Sequence, residues 1–296
     1  MHEHNHKSSA TTNIKVAFFL NLGFAIVEVI GGFWTNSLAI ASDALHDLGD
    51  SLSLGLSWIL EKYSNRKNDS KYTYGYKRYS LLAALINAII LTAGSLFILY
   101  QAVNRILEPQ PVHAQGMIYF AIGGIIVNGL AVLRLRKGKT LNEKIVSFHL
   151  LEDVLGWIAV LVISIVMMFK DIPILDPILS SAIAVYILYN VAKNLKKTLS
   201  VFMQAAPEGI NIEDIDKNIM QLDKVIDVHH THLWSIDSLN HVLTTHIVVE
   251  DQLDLQQISD IKRQIKEMLK PLGLEHVTLE MERKSETCNL RDQDCF

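Results

Sequence analysis

Cysteine is almost missing from this chain: two among 296 residues, Cys288 and Cys295, both close to its last residue. That layout offers no disulfide framework and fits thiols in a reducing compartment. A positive charge balance is missing too. Twenty-seven Lys and Arg against 31 Asp and Glu leave a formal charge of -4, and no segment carries the basic stripe that binding nucleic acid phosphates requires. A nucleotide site is also absent. Arg136-Lys-Gly-Lys-Thr140 imitates the end of a Walker loop, but Leu133 stands where the earlier glycine is needed. Finally, no small-residue cleavage site follows the first apolar run, which is longer than a signal-peptide core, so that run is expected to stay in the mature protein.

What is present is apolarity. Half of the residues are hydrophobic and the mean hydropathy is +0.24, too apolar for an ordinary soluble chain of this length. The apolar residues are concentrated in the first two-thirds, in runs long enough to cross a hydrocarbon core, which takes about 20 helical residues. Six such runs are expected, Ile14–Trp34, Leu38–Leu60, Tyr79–Val103, Met117–Leu133, Ile145–Phe169 and Pro177–Val201. Lysine and arginine alternate between their connections. Lys62, Arg66, Lys67, Lys71, Lys77 and Arg78 follow the second run, and Arg134, Arg136, Lys137, Lys139 and Lys144 follow the fourth. The other three connections have no charge, only Arg105 nearby, or only Lys170. Basic loops stay in the cytoplasm, so both termini are expected there. The expected organisation is a histidine-containing tail over 1–13, a six-helix transmembrane bundle over 14–203, a small cytoplasmic domain over 204–284 and a cysteine-bearing tail over 285–296.

Ionisable groups at mid-membrane cost roughly 2.5 to 3.5 kcal/mol each by insertion scales and are functional candidates for that reason. Two clusters occur, Ser42-Asp-Ala-Leu-His-Asp-Leu-Gly-Asp50 in the second run and Phe148-His-Leu-Leu-Glu-Asp153 in the fifth. In each, a histidine and an aspartate stand four apart, which puts His46 above Asp50 and His149 above Asp153 on one helix face. Two such faces can converge four ligands on one ion. Imidazole nitrogen with carboxylate oxygen in a set of four suits zinc, whereas calcium and magnesium prefer oxygen alone. Asp43 is expected on the same face, orienting the imidazole of His46. Asp47 and Glu152 are expected to point elsewhere, to the aqueous cavity, to each other or to the loops. Asn21, Glu28, Asn87 and Asn128 are expected to be hydrogen-bond partners between helices.

These motifs, with Tyr74-Gly-Tyr-Lys-Arg78, Asp176-Pro177 and Val228-His-His-Thr-His-Leu-Trp234, resemble the cation diffusion facilitator family, in its zinc-transporting, CzcD-like branch. The resemblance runs from Ile14 to Glu282. It implies a transport site on His46, Asp50, His149 and Asp153, and a homodimer with its cytoplasmic domains packed together. Similar members carry glycine where Glu152 stands and an acid where Ser80 stands, which implies a changed approach path or ion preference. A histidine and an aspartate in both pairs resembles the zinc-selective members. The absence of long loop insertions resembles bacterial members, and implies the cytoplasmic (inner) membrane as location.

From Ile210 onward the periodicity shortens. An amphipathic helix over Ile212–Leu222, strands over Val225–Trp234 and His241–Glu250, a helix over Leu255–Leu269 and a strand over His276–Glu282 are expected. This order makes a small α+β domain with its helices on one sheet face, and the resemblance implies the ferredoxin-like, metallochaperone-like version. Strand alternation puts His230 and His232 on one face and His229 on the other. A regulatory zinc site is expected from His229, His246 and Glu282, with Cys288 and Cys295 as further ligands; the resemblance implies matching sites at the first three. The alternative makes these histidines surface or interface residues. Met1-His-Glu-His-Asn-His6 either holds metal loosely or is a plain tail.

With no nucleotide to spend, an ion gradient is the expected energy source. Free imidazole titrates near about 6.5 and loses its ligand lone pair on protonation, so protons and metal compete for the same atoms. The expectation is therefore secondary efflux of a divalent transition metal, zinc before others, in exchange for protons, with the lipid bilayer as surroundings and no enzymatic activity. A metal-gated channel or sensor using the same ligands is the alternative. A membrane metallohydrolase would need a general base beside an open zinc position, for which only Glu152 or Asp47 is available.

Overall fold

The computed structural model describes residues 3–135, 141–237, 239–286 and 288. The Walker-like Arg136–Thr140 segment, His2 and Cys295 lie outside them, and of His4 and His6 only the backbone is described. The chain divides into two compact units, Met1–Ile59 with Ala83–Leu195, and Leu60–Leu82 with Lys196–Phe296.

The first unit is built on six long helices, α1 (Glu3–Thr35), α2 (Leu38–Ser64), α3 (Tyr79–Leu107), α4 (Ala114–Leu135), α5 (Leu141–Phe169) and α6 (Leu175–Phe202). The first begins well before the expected Ile14. No glycine or proline precedes Gly23, so nothing in that stretch breaks a helix. Four helices are long and apolar enough to cross a membrane, over Tyr79–Leu107, Ala114–Arg134, Val146–Phe169 and Leu175–Phe202. Asn21–Thr35 is a shorter apolar stretch, and α2 is interrupted by the four ionisable groups between Asp43 and Asp50. Large apolar side chains such as Phe33, Phe97, Leu107 and Phe169 point outward, as a helix immersed in hydrocarbon requires.

Inside, small residues let the helices approach. The indole of Trp157 on α5 lies against Gly124 of α4, where an added Cβ would collide with the ring, and Leu45 of α2 packs in the same way against Gly94 of α3. Without a hydrophobic driving force between helices in lipid, such close packing is one main source of association. Ala39, Ile40, Met117, Ala121, Trp157 and Val160 form one buried cluster of this unit. The tight turn between α1 and α2 holds Asn36 in the left-handed region, at φ 55°, a conformation asparagine tolerates better than most residues. Arg105 of α3 donates to its carbonyl at 2.5 Å and to its Oδ1 at 2.7 Å.

In the second unit, α7 (Ile212–Met220), β1 (Val225–Ser235), β2 (His241–Val249), α8 (Leu255–Leu269) and β3 (Leu274–Arg283) follow in the expected order. The sheet order is β1-β2-β3. β1 and β2 are antiparallel, β2 and β3 parallel, so α8 makes the crossover that a parallel pair needs. Asn211 caps α7, and Asp254 with Gln257 forms a reciprocal capping box on α8. Both helices contribute to one core, Ile215, Ile219, Ile261 and Ile265 packing with Leu243 and Ile247 of β2.

One half of an expectation about this sheet is corrected: His230 does stand with His232, their rings 4.6 Å apart, but His229 is not set apart from His230. His229 pairs with His246, but His232 pairs with Thr244, so β1 holds one extra residue between His229 and His232, and His230 takes up the bulge at φ 53°. A bulge breaks the two-residue alternation. The rings of His229 and His230 therefore both lie beside that of His246, at 5.4 and 5.1 Å between centroids.

Candidate metal centres

On α2, a spacing of four places His46 Nε2 3.7 Å from Asp50 Oδ2; on α5 it places His149 Nε2 4.0 Å from Asp153 Oδ2. The two pairs meet. His149 Nε2 lies 2.9 Å from Asp50 Oδ2, off the line of a hydrogen bond, and the imidazoles of His46 and His149 are edge to face at 5.5 Å. One ligand atom each from His46, Asp50 and His149 lies within 4.8 Å of the others. Asp153 stands at the edge of this group, its Oδ2 buried and without a hydrogen-bond partner. His46 Nδ1 is likewise buried and unpartnered. Leaving such an atom unsatisfied costs about 1 to 3 kcal/mol, a cost that a bound cation offsets at the ligating atoms.

A cavity of about 320 Å³ opens beside the group, lined by Asp43, His46, Glu152 and Asp153 with Ile183 and Tyr186 of α6. Glu152 thus faces the cavity, as one expectation had it. Asp43 lines it as well, but makes no hydrogen bond to His46, whose Nδ1 has no partner; it does not orient that ring. Asp47 is fully buried, both carboxylate oxygens unpartnered. Asn21 Oδ1, Asn87 Oδ1, Asn128 Nδ2 and both oxygens of Glu28 likewise have no partner that meets hydrogen-bond geometry among the described residues, so at those atoms the expected interhelical ties are not made.

In the second unit, paired strands gather the other set. His246 Nδ1 lies 2.5 Å from Glu282 Oε1, His229 Nε2 3.5 Å from Glu282 Oε2, and Cys288 Sγ 3.7 Å from His246 Nδ1. His229, His246, Glu282 and Cys288 each offer a ligand atom within 4.8 Å of the others. Burial pushes the Glu282 carboxyl up. Hydrogen bonds from His246 and Cys288, with the two imidazoles nearby, outweigh that and hold it below its ordinary value. The remaining histidines have other surroundings. His232 packs on His230, His241 Nδ1 lies 3.0 Å from Ser235 Oγ, and His276 meets the ring of Tyr74.

Sequence reasoning missed Trp157, one turn beyond Asp153 and fully buried, for which no motif stands. It also left the Asp176-Pro177 pair without a task, although an acid in a short connection between apolar runs is a signal.

Comparison with known proteins agrees with both halves. Residues 14–203 match the cation efflux transmembrane domain, and residues 207–284 the cation efflux protein cytoplasmic domain. The cadmium, cobalt and zinc/H(+)-K(+) antiporter of Bacillus subtilis is 35% identical over 95% of this chain and 92% of its own length. The zinc transporter ZitB of Pectobacterium atrosepticum is 30% identical over 95% and 88%, and the metal cation efflux system protein CzcD of Cupriavidus metallidurans 30% identical over 95% and 89%. With a helical transmembrane domain followed by a cytoplasmic domain built on a small sheet, this chain belongs to the cation efflux family, the cation diffusion facilitators, in its CzcD-like branch.

Proposed function

We propose that this membrane protein expels zinc from the cytoplasm in exchange for protons, through an intramembrane site formed by His46, Asp50, His149 and Asp153. The observation that carries the reading is the meeting of ligand atoms from two separate helices, His46 and Asp50 on α2 and His149 on α5, within 4.8 Å. Asp153 is the fourth ligand, its buried free oxygen available to the same ion. Two imidazoles and two carboxylates make a neutral assembly with a dication, which lowers the cost of holding the acids in the bundle.

Protons supply the drive by competition. On the side where protons are more abundant, the imidazoles gain a proton, lose their lone pairs and release the ion; on the other side they lose it and bind again. Six helices cross the membrane in this reading, with the basic α2–α3 and α4–α5 connections in the cytoplasm, and the site is exposed to either face in turn. The names of the relatives, antiporter and efflux protein among them, favour exchange over a metal-gated channel or sensor. The cytoplasmic domain forms the homodimer contact and holds a regulatory zinc on His229, His246, Glu282 and Cys288; Cys295 is a further ligand in the same proposal.

The test is zinc-driven proton movement in proteoliposomes. His46→Ala and Asp153→Ala are expected to abolish it in protein that still folds. Substantial residual exchange in either, or zinc flux with no proton flux in the unaltered protein, refutes the proposal.

A further inference from the structure

The α2 helix starts in an uncommon way. Its first four N–H groups have no partner within the helix, and Ser37 supplies the expected local cap, its Oγ accepting from Ile40 N at 3.2 Å. The two groups before that one are satisfied from far away in the chain. Asp176, in the first turn of α6, accepts from Leu38 N at 2.7 Å through Oδ2, and from Ala39 N at 3.2 Å and Ser37 Oγ at 2.5 Å through Oδ1. The residue is fully buried. One carboxylate therefore lies at the N-terminal ends of two helices, where both backbone dipoles favour a negative charge. The guanidinium of Arg105, which holds the preceding turn through Asn36, is within its electrostatic reach.

We propose that Asp176 is a positioning residue for the metal: by capping α2 from the head of α6, it fixes the axial register of α2, and with it the placement of His46 and Asp50 opposite α5. The proposal rests on the transport-site reading above. At a rise of about 1.5 Å per residue, His46 lies roughly 12 Å and Asp50 roughly 18 Å along the helix from the cap. Apolar contact in a bilayer is non-directional and sets axial register weakly, whereas charge-assisted hydrogen bonds set it strongly. A slip of one residue would carry both ligands by about 1.5 Å, well beyond the roughly 0.5 Å within which a metal site keeps its geometry. The partner helix is also the relevant one, because α6 supplies Ile183 and Tyr186 to the cavity that His46 and Asp153 line. α2 and α6 are thereby held as one body at this end, while His149 and Asp153 stand on α5, outside the clasp.

Loosening the register should spare the chemistry of the ligands but blur their spacing. Asp176→Asn keeps size and one acceptor, loses the charge, and turns an N–H donor toward N–H groups; Ser37→Ala removes one of the three donors. In full-length protein in proteoliposomes, Asp176→Asn is expected to raise the zinc concentration for half-maximal exchange by roughly tenfold or more, the scale of a lost hydrogen bond to a charged group. The maximal rate per folded protein should fall much less, and the preference for zinc over the larger cadmium ion should drop. Ser37→Ala should shift both quantities the same way by less, and Asp176→Glu should restore part of the preference. Should Asp176→Asn fail to reach the membrane, the Ser37→Ala shift decides. Unchanged half-saturation and metal preference, with activity lost only in proportion to folded protein, overturns the positioning role. His46→Ala in the same vesicles keeps the two ideas apart. If it retains exchange the site itself is misassigned; if it abolishes exchange while the cap variants keep normal half-saturation and preference, only the role of Asp176 falls.

Discussion

Buried carboxylates and imidazoles are costly in a lipid-embedded bundle, and this one gathers them where α2 and α5 face each other. The spacing of His46 from Asp50 and of His149 from Asp153 made both pairs legible in the sequence, because a helix places residues four apart on one face whatever surrounds it. What Asp43 touches was not legible. Its ring-orienting task needed an azimuth and a rotamer that only packing decides, and in the structure it lines the cavity instead. At this scale the identity of one ligand carries a prediction. His46→Asp exchanges a nitrogen donor for a carboxylate that can bind through two oxygens, raising the coordination number the site offers and favouring larger ions over four-coordinate zinc. Competition assays are expected to show cadmium or manganese displacing zinc more readily in this variant; an unchanged order of metals would remove His46 from the selectivity filter.

Among the helices, the closest approach is bought with missing side chains. Gly124 leaves the room that the Trp157 indole fills, and a Cβ there would overlap the ring. Gly129, on the same helix, faces open space. Gly124→Ala should therefore cost about 1 to 3 kcal/mol, the range for overpacking a tight contact, and should lower the melting temperature in detergent. Gly129→Ala should leave it unchanged or slightly raised, since alanine is the better helix former. Equal melting curves for the two variants would mean that α4 and α5 are free to separate. The elements themselves were readable: long apolar runs, basic connections and the change of period at Ile210 located the eight α-helices and three strands of the described residues. The bulge at His230 was not, since one extra residue in a strand becomes visible only when the partner strand supplies a register.

For the molecule as a whole, the sheet of the second unit brings four candidate ligands to one place, from β1, β2, β3 and the residue five beyond β3. Because Glu282 is held below its ordinary value by its neighbours, it stays ionised through the neutral range. Zinc binding there is expected to weaken on acidification, because protons compete with the metal for the lone pairs of the other ligands. Zinc is expected to tighten the proposed dimer of the full-length protein, seen as slower hydrogen exchange in β1 and β3. Equal protection with and without the metal would make these histidines structural.

By itself the sequence determined the class of this protein, the location of its apolar helices, the order of its cytoplasmic elements and the two His-x-x-x-Asp pairs. All of these follow from local periodicity and from the expense of charge in hydrocarbon, which no tertiary contact can cancel. Only the tertiary structure decided that the two pairs share one space, that Trp157 seats against a glycine, that three strands bring His229, His246 and Glu282 together, and that an aspartate 138 residues away accepts from the first N–H of α2. Those are distances between segments remote in the chain, and remote distances are set by how helices and strands pack, a quantity no window of sequence contains.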